Sequence, residues 1–189
     1  GINKISIKHG DNVAILGAGP TGVMHTLLAR LRGANNIVFS DVNQFRLKFV
    51  EKYGVTAVNL NLEKLDNVIN NNTESLGVDV TILATGSMKA FESSLRITRR
   101  GGKILLFGVP SVGSKCDLDL NSLYSNEQII LPSYGASEIE TNQALSLMSD
   151  KSIDLLPLVT HRFQLGESDN AFKCAHEAVD AMKVLVVTS

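Results

Sequence analysis

The chain has 189 residues, 44% hydrophobic and 20% charged, a mix that suits one folded globular domain and excludes a disordered segment. Lys and Arg number 18 against 19 Asp and Glu, leaving a net charge of −1 and no basic stripe for nucleic acid. Apolar runs such as Ile104–Phe107 fall far short of the about 20 residues that cross a membrane, and no secretory signal pattern opens the chain. The start, Gly1-Ile2-Asn3 without Met, reads as a cleaved-tag scar or as a piece of a longer chain. Cys116 and Cys174 form no Cys-x-x-Cys pair, so both read as structural thiols of a reducing cytosol.

Strand-like apolar runs alternate with helix-period segments, which predicts βαβ units around a parallel sheet. The first strand is expected at 12–16. A glycine-rich turn follows it, then a helix with Val23, Leu27, Leu28 and Leu31 on its apolar face and Gly33 as its cap. A second strand, 37–40, ends at Asp41. A helix near 43–53 closes at Gly54, and a short third strand lies near 57–58. The Asn-rich stretch 59–72 is expected to be a solvated helix and loop. A fourth strand is predicted at 78–83 and a helix at 87–98. Gly101-Gly102 should turn into a fifth strand, 103–108. A sixth strand at 128–131 and a helix near 137–149 complete two βαβαβ halves, the count of an α/β, doubly wound dinucleotide-binding fold. After Pro157 the rhythm breaks into strand 158–163, helix 167–178 and strand 184–187.

Gly17-Ala18-Gly19-Pro20-Thr21-Gly22 fits G-x-G-x-x-G between a predicted strand and a predicted helix. Gly17 allows the tight turn, Gly19 lets backbone approach a pyrophosphate, and Gly22 lets helix pack on sheet. Pro20 suits the first helical turn, whose free N–H groups attract anions. Asp41 lies 19 positions after Gly22, where an acid accepts hydrogen bonds from a ribose diol and repels a 2′-phosphate, so NAD is expected over NADP. Arg46, five residues on, is the alternative: it could hold a 2′-phosphate or pack on adenine. A P-loop is excluded because Val23-Met24 follow Gly22. Ile15-Leu16 stand where a methyltransferase usually adds an acid, and no Tyr-x-x-x-Lys pair is present.

With Gly10-Asp11, Gly17–Gly22, Asp41 with Arg46, Ala84-Thr85-Gly86, Gly101 through Pro110 and Leu158–Phe163, the chain resembles the medium-chain dehydrogenase/reductase family. Within it, the resemblance is to the zinc-dependent alcohol and polyol branch of sorbitol and threonine dehydrogenases. The resemblance implies a Rossmann six-stranded parallel sheet over 1–154, and a 155–189 segment that completes a catalytic domain missing from this sequence. That missing half would carry the catalytic zinc. It implies that Thr85 and Gly86 line the adenosine ribose, and that the carbonyls of Phe107 and Pro132 and the N–H of Tyr134 hold the carboxamide, near Val109. Lys183 matches a basic position that reaches the pyrophosphate, or is a solvated lysine. The function implied is to position nicotinamide for hydride transfer from a zinc-bound alkoxide of a small alcohol or polyol, in a cytoplasmic homodimer or tetramer. The chain alone should be inactive. The alternative is a non-catalytic dinucleotide-binding module or a zinc-free quinone-reductase-like relative. His9 and His25 read as surface residues, and neither these nor His161 and His176 have a second ligand at metal spacing, so no metal site is expected. The uninterrupted 128–131 strand suggests a sheet edge that pairs with a second subunit.

Overall fold

A computed structural model describes residues 1–188. Six strands form one parallel sheet: β1 (Val13–Leu16), β2 (Ile37–Asp41), β3 (Thr56–Asn59), β4 (Val78–Leu83), β5 (Thr98–Leu106) and β6 (Ile129–Pro132), in the order β3-β2-β1-β4-β5-β6. This is the doubly wound order of dinucleotide-binding folds, with its crevice outside the strand ends where β1 meets β4. β1 is an apolar run, and β4 is apolar but for Asp79 and Thr81, because both faces of the sheet are covered; all four residues of β1 are buried.

Helices α1 (Ile2–Ile5), α2 (Pro20–Leu31), α3 (Gln44–Glu51), α4 (Leu65–Asn72), α5 (Met88–Ile97), α6 (Leu120–Ser125) and α7 (Glu138–Ser149) fill the connections. One core centres on Ile15, Val23, Phe39, Ile82 and Leu105, and a second on Leu16, Val38, Ile69 and Ile104, so the sheet is buried on both faces. α2 starts at Pro20 and ends with Gly33 at φ +83, where the chain turns into β2.

Four expectations shift. The Asn-rich helix begins only at Leu65: β3 runs through Asn59, whose side chain accepts from the Asn61 N–H at 3.0 Å and turns the chain there. Gly101 and Gly102 lie inside β5, not before it, at a register shift against β4 where Gly101 takes φ +67. α2 buries Gly22, Val23, His25, Thr26 and Ala29, while Leu31 is 48% exposed; the helix is covered on a different arc from the predicted stripe. His25 is therefore a core residue. Its ring meets Phe107 edge-on with centroids 4.5 Å apart, and burial, then the chain's amino terminus, lowers its pKa to about 4.

The last segment builds a separate two-stranded parallel sheet, β7 (Val159–Gln164) and β8 (Lys183–Val187), crossed by α8 (Ser168–Glu177). It docks on the main domain: Leu158 and Met182 join the first core, and the Asn43 side-chain amide donates to the carbonyls of Ala178 and Val179, at 3.1 Å each.

Candidate cofactor site

The site forms where the turn after β1 meets the end of β2. Gly17 takes φ +109 and its N–H donates to the Ser40 carbonyl at 2.9 Å, which starts the tight turn. A Cβ at Gly22 would overlap the Gly17 carbonyl oxygen and lie 2.8 Å from the Phe39 ring, so this glycine serves close packing. Gly19 differs. A Cβ there would meet only Arg46 Nη1, at 4.0 Å, so the space in front of its backbone is open. The N–H groups of Thr21 and Gly22 open α2 and, by their position, lack helical acceptors.

Asp41 is tied to the turn. Its Oδ2 accepts from the Ala18 N–H at 2.6 Å, and its Oδ1 accepts from the N–H groups of Val42 and Asn43 at 2.7 and 2.8 Å. Three N–H donors thus orient the carboxylate, with lone pairs left for a diol. Arg46 is placed by α3, whose Asn43 cap accepts from the Arg46 N–H at 3.1 Å. Its Nε is buried and unpartnered among the described residues, and its Nη1 faces Gly19. A buried donor without an acceptor beside an open glycine backbone fits an anionic group. These two observations are where the residues present meet the demands of a dinucleotide pyrophosphate.

The crevice of about 410 Å³ beside them is lined by Gly17, Asp41, Thr85 and Ser87, among others. The loops after β4 and β5 touch through backbone: a Cβ at Gly108 would overlap Thr85, and one at Gly86 would overlap the Val109 carbonyl. Thr85, Gly86, Phe107 and Val109 are thereby held together at the strand ends. The Phe107 carbonyl and the Tyr134 N–H make no hydrogen bond within the chain among the described residues, and Tyr134 is 90% exposed. Thr21 faces a larger, mostly apolar groove of about 730 Å³ between α2 and α7, which Phe107 also lines. Lys183 opens β8, exposed, and does not line the Asp41 crevice.

Sequence reading missed two features. Asn43, which fastens the C-terminal segment beside Asp41, carries no motif. His161, Cys174 and Asp180 converge to within 4.8 Å, although 13 and 6 residues separate them in the chain.

Fold order and glycine turn define a doubly wound protein of the dinucleotide-binding kind. The sequence profile of the zinc-binding dehydrogenases matches residues 20–150. The chain is 33% identical over 177 residues to L-threonine 3-dehydrogenase of Vibrio vulnificus, covering 93% of this chain and 51% of that protein. In fold it matches alcohol dehydrogenase TADH from Thermus sp. ATN1 with a TM-score of 0.94, at 24% identity, over 100% of this chain and 54% of that one. A putative zinc-binding dehydrogenase from Sinorhizobium meliloti, bound to NADP, matches at 26% identity with a TM-score of 0.84, over 99% of this chain and 55% of that one. The chain belongs to the zinc-binding dehydrogenase family, within the medium-chain dehydrogenases. It spans about half the length of the curated relatives it matches.

Proposed function

We propose that this chain binds NAD(H), in preference to NADP(H), and positions the nicotinamide for oxidation of a small alcohol or polyol in a zinc-dependent dehydrogenase. The observation that carries the reading is the Asp41 carboxylate hydrogen-bonded to the glycine turn, with Arg46, whose buried Nε is unpartnered among the described residues, facing open Gly19 through Nη1. The start of α2 offers N–H groups and its dipole to the pyrophosphate. Asp41 accepts from the ribose diol, and a 2′-phosphate there meets its charge. Arg46 faces the turn, so its guanidinium serves the pyrophosphate and not a 2′-phosphate. Thr85 and Gly86 line the ribose side. The Phe107 carbonyl and the Tyr134 N–H hold the carboxamide, next to Val109, and so choose the ring face presented to substrate.

The cofactor supplies the hydride acceptor, and a zinc ion in the other half of the parent supplies Lewis-acid activation of the alcohol. Residues 155–189 complete that other half. Lys183, exposed and away from the crevice, fits the solvated-lysine reading better than a pyrophosphate contact. Exposure of the β6 edge supports association into a homodimer: Ile129 is 45% exposed, while Ile130 and Leu131 pack on the two cores. Calorimetry of the chain with NADH tests the reading, with 1:1 binding expected; absence of saturable binding contradicts it.

A further inference from the structure

A second constellation lies in the C-terminal segment, outside the cofactor crevice. His161 comes from β7, Cys174 from α8 and Asp180 from the turn before β8, and one ligand atom from each lies within 4.8 Å of the other two. The reversal that makes this possible is local. Ala178 adopts a left-handed conformation, φ 48, at the end of α8, which folds Asp180 back over the helix carrying Cys174.

Imidazole, thiol and carboxylate are the ligand types of zinc sites, with ligand atoms about 3.5 Å apart around a tetrahedral ion, from Zn–S and Zn–N distances of about 2.3 and 2.0 Å. Closing 4.8 Å to that spacing takes about an ångström of side-chain rotation at half-buried or exposed positions. The imidazole is already oriented. Its Nδ1 lies 3.0 Å from Thr160 Oγ1, and that hydroxyl oxygen accepts from the Met182 N–H at 3.0 Å. Nε2 is left without a partner among the described residues. With Nδ1–H donating, the hydroxyl oxygen takes the place that a carboxylate, carbonyl or water takes behind ligand histidines. Three protein ligands leave a fourth position, and beside Cys174 and Asp180 lies an open depression of about 280 Å³ that Lys173 and Glu177 also line.

We infer that His161, Cys174 and Asp180 form a divalent transition-metal site, with Zn²⁺ as the fitting ion and water in the fourth position. The mixed soft and borderline donor set selects Zn²⁺ over Mg²⁺ or Ca²⁺, which take oxygen ligands. On binding, a metal–sulfur bond forms and the thiol proton leaves to solvent. The ion would clamp β7, α8 and the 178–180 turn, whose carbonyls hold Asn43.

The test is Co²⁺ titration of the 189-residue chain carrying Cys116→Ser, so that Cys174 is its sole thiol. A 1:1 complex with a thiolate-to-cobalt charge-transfer band, bleached by Zn²⁺, is expected. Cys174→Ser should abolish the band. His161→Ala and Asp180→Asn should each weaken binding about tenfold or more, with circular dichroism and thermal melts serving as the control for folding. Failure of the parent chain to give a saturable thiolate band overturns the site. So does unchanged cobalt affinity in folded His161→Ala and Asp180→Asn chains.

Discussion

The N–H of Ala18 donates to Oδ2 of Asp41 at 2.6 Å, so the acid at the end of β2 also fastens the glycine turn after β1. One side chain thus fastens the turn and, in the proposed reading, also accepts from the ribose. Asp41→Ser shortens the acceptor and removes the charge. It should weaken NADH binding about 10- to 100-fold, the loss expected for hydrogen bonds to a charged group. NADPH binding should fall less, so the ratio narrows. Equal losses for both cofactors would show that Asp41 acts on the turn alone.

The glycines of the turn separate fold from ligand. At Gly19, with φ −72 and nothing nearer than 4.0 Å, alanine is tolerated, and the smaller unfolded-state entropy adds about 0.4–1 kcal/mol of stability. The new methyl occupies the approach of the pyrophosphate, so NADH affinity should drop about tenfold or more. Gly22→Ala overlaps the Gly17 carbonyl and should cost about 1–3 kcal/mol of stability. Thermal melts alongside NADH titrations distinguish them; a Gly19→Ala chain that melts early but binds normally contradicts the assignment.

Acid should weaken the fold through His25. Its folded pKa is lowered to about 4, chiefly by burial, from the ordinary 6.5 that the unfolded chain shows. Between those values the unfolded state binds a proton that the folded state refuses, so stability is full above pH 6.5 and is lost as pH falls toward 4. Two to three pKa units correspond to about 3 kcal/mol. Urea unfolding at pH 7 and pH 4.5 should show this loss, and His25→Leu should remove most of it. The same slope in both chains would place the acid sensitivity elsewhere.

The central strands are legible in sequence because a strand buried on both faces is mostly apolar: Val13–Leu16 is apolar throughout, and Val78–Leu83 is interrupted only by Asp79 and Thr81. The turn and Asp41 are legible because their spacing follows from one βαβ unit. The environment of His25 is not, since helical periodicity in α2 cannot reveal that α1 and Phe107 add a second covering surface. Nor is the approach of Cys174 and Asp180 to His161, which depends on one left-handed residue, Ala178, that no glycine or asparagine announces.

At the β6 edge, Ile129 is the exposed apolar residue, and Ile130 packs inward against the second core. Ile129→Lys therefore probes association without opening the core. Light scattering should show a dimer converted to a monomer, with the melting temperature of the monomer's core preserved. A parent chain that is monomeric at high concentration removes the edge-pairing reading.

A carboxylate-tied glycine turn should select the cofactor without a 2′-phosphate. Isothermal calorimetry of the chain with NADH and with NADPH, in one buffer at one ionic strength, measures it directly. NADH should bind 1:1 and NADPH at least about tenfold more weakly, a difference of about 1.4 kcal/mol. Equal or tighter binding of NADPH would contradict it and make Arg46 a 2′-phosphate residue.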